Sequence, residues 1–245
     1  ANRPQYSRNM LYLNRGDGTY AETAQLSGLD ATEWSWTPVF LDVDLDGYED
    51  VLIPTGFERD NMNVDLLRQL ELLKKEKNRP SVEQLRLRQL FPRLALPNLA
   101  FRNMGNCKFA ETGAAWGFNT PGISQGMALA DLDNDGDLDV VVNNFNGAAG
   151  LYRNDTIAPR VAVILKGIAP NTHGIGGRIK VTGGPVAQTQ QIVCGGRYMS
   201  CDQAMRVFAA SDPASRLTIE VRWRGGRTSV LTNAAANRIY ELDEE

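Results

Sequence analysis

The sequence predicts an all-β protein: a partial β-propeller with a helical insertion, followed by a small C-terminal β-sandwich. Three observations predict it. Two aspartate-rich loops of one form recur 89 residues apart, each running into a β-branched segment. Short apolar runs and glycine turns fill most of the chain, which holds 23 glycines. From about Pro159 the repeat stops, and a series of strand-like runs takes over.

The first repeat opens with LYLNRGDGTYAET at Leu11, and the second with AFRNMGNCKFAET at Ala100. Asn14 matches Asn103, Tyr20 matches Phe109 and Glu22 matches Glu111. Further on, LDVDLDGYEDVLI at Leu41 matches ADLDNDGDLDVVV at Ala130 in the same register. A third copy begins with LYRN at Leu151, and from Asn103 to Asn154 is 51 residues. That spacing approaches one propeller blade of about 40–50 residues. Within a repeat, Leu11–Leu13 reads as a strand and Gly16-Asp17-Gly18 as a tight turn. Trp34 and Trp36 alternate, as do Met127 and Leu129, in the manner of strands entering the loops. Val51–Ile53 and Val140–Val142 are strands leaving them.

The first repeat is 38 residues longer than the second period. The excess lies at about 60–98, where Val64, Leu66, Leu67, Leu70 and Leu73 recur at helical spacing. Ser81 and Gln84 form a capping box for a second helix through about Phe91, and Pro92 and Pro97 discourage its continuation. This insertion is expected to bury its leucines against the blades.

Residues 1–158 thus form the propeller segment and 159–245 a second domain. Strands are expected there at Arg160–Leu165, Arg178–Thr182, Thr189–Cys194, Met205–Ala209, Leu217–Trp223, Arg227–Leu231 and Arg238–Leu242.

Each aspartate loop has the form D-x-D-x-D-G-x-x-D. The first contains Asp42, Asp44, Asp46, Gly47, Tyr48 and Asp50; the second contains Asp131, Asp133, Asp135, Gly136, Asp137 and Asp139. Carboxylates at positions one, three and five converge on one centre. The glycine permits the turn, position seven (Tyr48 or Asp137) offers a backbone carbonyl, and position nine closes the shell. Without a cation, four such carboxylates repel one another and raise their own pKa values. Ca2+ suits this oxygen shell better than Mg2+, which demands a tighter octahedron. Two calcium ions per chain are expected. Position twelve is Ile53 or Val142 rather than glutamate, and strands flank the loops, so these are not EF-hands.

Residues 9–158 resemble the FG-GAP/VCBS β-propeller repeats, and residues 160–245 resemble the ASPIC/UnbV domain of cartilage-acidic-protein-like proteins. The pieces carrying the resemblance are ISQGMALADLDNDGDLDVVVNN, HGIGGRIKV, GGRYMSCDQAMRVFAA and IEVRWRGGRTSVLTNAAANRIYEL. It implies calcium ligands at the loop positions just named and a secreted, periplasmic or cell-surface location. It implies a structural and binding role, with no catalytic residue to carry over. Propellers of this family close with about seven blades. Two blades and the start of a third imply further blades from a longer chain or another subunit, because bare strand edges are normally covered.

Composition limits the partners. The formal charge is -3, from 26 basic and 29 acidic side chains, which gives no basic excess for nucleic acid. No apolar run approaches the length of a membrane span. With one histidine, His173, and no CxxC pair, a zinc site is a poor fit. Cys194 and Cys201 would pair in an oxidising compartment and otherwise remain thiols. Arg222, Trp223, Arg224 and Arg227 form a basic aromatic patch for a protein or acidic glycan, or else a solvated hairpin edge. Trp34 and Trp36 either stack on sugar or pack within a blade. The expected function is a calcium-stabilised interaction module rather than an enzyme. The rivals are a glycan-binding module and an enzyme or enzyme subunit, such as a non-catalytic subunit or part of a secreted hydrolase.

Overall fold

The computed structural model describes residues 7–75 and 87–245. It is built mostly of strands in open sheets. The first pair is β1 (Tyr12–Asn14) with β2 (Tyr20–Glu22), antiparallel, Leu13 opposite Ala21. A single helical turn, α1 (Ala24–Ser27), ends at Gly28, whose φ of 79° is the left-handed conformation that glycine adopts without strain. Next come β3 (Val39–Leu41) and β4 (Asp50–Ile53). The insertion follows, with α2 (Val64–Lys75) and β5 (Leu96–Pro97). β6 (Leu99–Asn103) and β7 (Phe109–Glu111) then complete a four-stranded sheet in the order β3-β4-β6-β7. β8 (Pro121–Gly122) pairs with β5. β9 (Ser124–Ala130), β10 (Asp139–Asn144) and β11 (Gly150–Tyr152) form the next sheet, with β10 central.

The repeat is reproduced in register. Adding 89 to β2 gives β7, and adding it to the pair Leu41–Asp50 gives the pair Ala130–Asp139. Each aspartate loop is therefore the connection of one antiparallel hairpin, placed by the same cross-strand partner.

The insertion differs in part from expectation. Leu70 is buried, but Val64, Leu67 and Leu72 on α2 are exposed, so much of the leucine face is uncovered by the described residues. The second helix expected from Ser81 and Gln84 lies mainly outside the described residues; a 3-10 turn at Arg88–Leu90 is seen.

The C-terminal part is a two-sheet sandwich. One sheet has the order β15-β12-β18, from β12 (Arg160–Lys166), β15 (Met205–Ala209) and β18 (Arg238–Asp243). The other has the order β14-β13-β16-β17, from β13 (Arg178–Thr182), β14 (Gln188–Gln191), β16 (Arg216–Arg222) and β17 (Thr228–Ala235). Val161, Val163, Leu165 and Phe208 of the first sheet meet Ile179, Val181, Leu217, Ile219 and Val221 of the second. Burying each such side chain contributes about 1.5–3 kcal/mol.

The outer face of the first sheet is covered too. Ala162, Met205, Val207 and Ala209 share a core cluster with Val39, Leu52, Met127, Leu129, Val140 and Val142 of the blade sheets. β12 is thus apolar on both faces, which explains why it reads as the unbroken run VAVIL rather than as an alternation. No helix among the described residues is long and apolar enough to cross a membrane.

Candidate metal centres

The nine-residue spacing folds each loop around its first aspartate. Asp42 accepts from Asp46 N (3.0 Å) and Gly47 N (2.8 Å), and Asp131 accepts from Asp135 N (3.2 Å) and Gly136 N (3.0 Å). The turn needs the left-handed region twice: Leu45 and Asn134 have φ of 55° and 64°, and Gly47 and Gly136 have 98° and 90°. Leu45 is buried in the core shared with the sandwich, which secures the first loop from beneath.

The ninth aspartate ties the loop to the sheet. Asp50 accepts from Val43 N at 3.0 Å and from Asn103 N at 2.8 Å. Asp139 accepts from Leu132 N at 2.8 Å and from Asn154 N at 2.8 Å. The asparagines add side-chain bonds, Asn103 Nδ2 to Glu49 O (3.0 Å) and Asn154 Nδ2 to Val43 O (2.9 Å). The second of these crosses from one blade to the loop of the other.

These constraints gather positions one, three and nine. Asp42, Asp44 and Asp50 offer oxygens that all lie within 4.8 Å of one another, and so do Asp131, Asp133 and Asp139. Position five is turned elsewhere. Asp46 Oδ1 accepts from Tyr48 N at 2.9 Å and Asp135 Oδ1 from Asp137 N at 3.1 Å. Their other oxygens face guanidinium groups, Asp46 Oδ2 at 3.5 Å from Arg102 and Asp135 Oδ2 at 3.1 Å from Arg160. Arg102 Nε also pairs with Asp44 Oδ2 at 2.6 Å. At position seven Tyr48 is exposed, whereas the Asp137 side chain is buried. Arg160 Nη2 lies 3.3 Å from Asp137 Oδ2, yet neither Asp137 oxygen accepts a hydrogen bond from the described residues.

The electrostatics follow from burial and crowding. Burial pushes Asp42 up to about 7; the bond from Gly47 opposes the shift, and Asp46, Asp50 and Asp44 add to it. Burial raises Asp50 to about 6 despite its bonds from Asn103 and Val43. Asp137 is raised to about 7 by burial, with Arg160 working against the shift. Asp44 Oδ1 is buried with no hydrogen-bond partner among the described residues. Two compact all-oxygen sets, one with an unpartnered buried oxygen, fit a hard divalent cation. Asp42, Asp44 and Asp50 would hold one, and Asp131, Asp133 and Asp139 the other. The chemistry supplied there is charge neutralisation.

Other candidate residues separate. Trp223 is 2% exposed and packs in the sandwich core, its Nε1 donating to Ser229 Oγ at 2.9 Å. It is therefore no part of a surface patch; Arg222, Arg224 and Arg227 are exposed around it. Cys194 and Cys201 are free and exposed. β14 ends at Gln191, so both lie on the loop to β15, where Cys201 Sγ accepts from Gly195 N at 3.3 Å. Trp36 stacks on Phe57 with ring centroids 5.7 Å apart and also meets Tyr198 at 5.1 Å.

Sequence reasoning missed four contributors: Asn103, Asn154, Arg102 and Arg160. Asn14, Asn103 and Asn154 recur at the repeat offsets, a signal that could have marked the asparagines as ties to the loops.

Residues 2–53 match the family model described as FG-GAP-like repeat, and residues 167–245 match that described as ASPIC and UnbV. The first loop lies inside the former match, and the second loop lies outside both. Cartilage acidic protein 1 of Mus musculus is 44% identical over 57 residues, which is 23% of this chain and 9% of that protein. Its Homo sapiens counterpart is 40% identical over 57 residues, with the same coverage of 23% and 9%. The matched segment thus spans less than a tenth of the length of these relatives.

Proposed function

From a chain that carries an FG-GAP-like repeat and an ASPIC/UnbV domain, we propose a calcium-stabilised, non-catalytic interaction module of an extracytoplasmic protein. Two ions bind per chain. The first is held by Asp42, Asp44 and Asp50, with the Tyr48 carbonyl, and with Asp46 once its Oδ2 swings from Arg102 to the ion. The second is held by Asp131, Asp133 and Asp139, with the Asp137 carbonyl, and with Asp135 once its Oδ2 swings from Arg160. The observation that carries this reading is the duplicated bonding pattern around two acidic triads, each with its oxygens within 4.8 Å of one another. Such local, preformed oxygen sets suit a structural ion.

Among the described residues, the inner edge of β1 has no strand neighbour, whereas its counterpart β6 pairs with β4. A further blade strand, from a longer chain or another subunit, is the partner this edge fits. An oxidising location would also let Cys194 and Cys201 pair, which peptide mapping without reductant would detect as a linked fragment.

Calorimetric titration of chelator-treated protein with calcium should give a stoichiometry near two. No heat of binding from protein with native circular dichroism would refute the reading. The half-exposed cluster of Trp34, Trp36, Phe57 and Tyr198 favours a second reading, glycan binding, which a glycan array would test.

A further inference from the structure

Both aspartate loops end against the C-terminal sandwich. Gly47, sixth in the first loop, faces the turn before β14: a Cβ there would lie 2.8 Å from Pro185 Cγ and 3.1 Å from Val186 Cγ2. Gly136, sixth in the second loop, faces Ile239 of β18 and Arg160 of β12.

The second loop is the one tied to the sandwich by polar bonds. Arg160, whose side chain is 11% exposed, places Nη2 at 3.1 Å from Asp135 Oδ2 and 3.3 Å from Asp137 Oδ2. The same nitrogen donates to Asp135 O at 2.9 Å, and Nη1 donates to Thr156 O and Ala158 O. On the other side, Gln203 Oε1 accepts from Asp131 N at 2.8 Å. Gln203 N donates to Leu129 O at 2.9 Å, and Asp202 Oδ1 accepts from Leu129 N at 3.1 Å. Loop positions one, five and seven are thus each held by a residue of the sandwich. In the first loop the guanidinium comes instead from Arg102 of β6, within the blade's own sheet.

We propose that Arg160 is a positioning residue for the second loop and couples cation loading there to the docking of the sandwich on the blades. The inference rests on the calcium reading above. With no cation, the carboxylates of Asp131, Asp133 and Asp139 repel at close range and loosen the loop. With calcium bound, residues 135–137 are held where the guanidinium meets them. Arg160 is the first residue of β12, the central strand of its sheet, and its backbone bonds directly to Asn237 beside β18. What fixes Arg160 therefore also fixes the edge of the sandwich nearest the loop. By linkage, a docked sandwich raises the affinity of the second loop by the same factor.

The test compares wild type with Arg160→Lys, which keeps the charge and loses the planar fork. Calorimetry should find one of two calcium affinities lowered about tenfold, the usual effect of disturbing a residue that orients metal ligands, and the other unchanged. Hydrogen exchange adds a second readout. In wild type, calcium should slow exchange in β12 and β18 as well as in the loops; in the variant the slowing should stay in the loops. If wild type binds two ions and its sandwich amides ignore them, the coupling is wrong and the calcium reading stands. If the variant keeps both affinities and the sandwich response, Arg160 is not the coupling residue. If neither protein binds calcium, the calcium reading fails and this inference fails with it.

Discussion

Asn154 donates its backbone N–H to Asp139 Oδ1 at 2.8 Å while its side chain reaches Val43 O of the neighbouring loop at 2.9 Å. One asparagine therefore ties the end of one aspartate loop to the start of the other. Replacing it with alanine keeps the backbone bond but removes the link to Val43 O and the acceptor for Thr156 N. At about 1 kcal/mol per lost bond, the penalty is about 1–2 kcal/mol. Asn154→Ala should lower Tm by about 2–8 °C in calcium. An unchanged melt would remove the tie from the account.

Asp133 belongs to the second acidic triad. Asp133→Ala should lower Tm in calcium and shrink the drop that a chelator causes. Because the second loop is bonded to Gln203 and Arg160, the loss should also spread into the sandwich. Thermal unfolding of both proteins, each with calcium and with chelator, checks this. Four coincident melting temperatures would rule out a structural ion at the second loop.

The raised carboxyls set a pH dependence. Asp42 at about 7 and Asp50 at about 6 retain protons in the cation-free fold that the unfolded chain releases in the ordinary carboxylate range. Their stabilising contribution is complete below about pH 4 and is lost as pH rises through 6 and 7. Chelated protein should therefore melt lower at pH 7.5 than at pH 5.5. Calcium competes with those protons, so calorimetry should find weaker binding at pH 5.5. Equal affinity at both values would contradict the shifts.

Trp223 and Arg224 are adjacent but not equivalent. Trp223→Ala empties a core position and should cost about 3–5 kcal/mol. Arg224→Ala, on the exposed side, should stay within about 0.5 kcal/mol. Denaturant unfolding separates the two. Similar small losses would return Trp223 to the surface.

The loops were legible because each is a local object: four aspartates and a glycine at fixed spacing, repeated in register. The strands of the sandwich were legible from their β-branched runs. The guanidinium partners were not, because Arg102 and Arg160 arrive by tertiary packing from strands far along the chain. The repeat does not settle them either. Arg153 stands 51 residues after Arg102, yet its Nε pairs with Asp155 at 2.6 Å instead of reaching a loop aspartate. The cluster RWRGGR reads as a surface patch although a strand alternation runs through it. Val221 and Trp223 point inward, and Arg222 and Arg224 point out.

The core cluster that joins Ala162, Met205, Val207 and Ala209 to Val39, Met127 and Val142 bears on how the molecule melts. A sequence boundary near Pro159 suggests two separately melting bodies. Opening either one would strip apolar cover from the other, so neither has an independent transition temperature. Heat absorption should then form one peak, with calorimetric and van't Hoff enthalpies in agreement. Domain names drawn from sequence families would here divide a single cooperative unit.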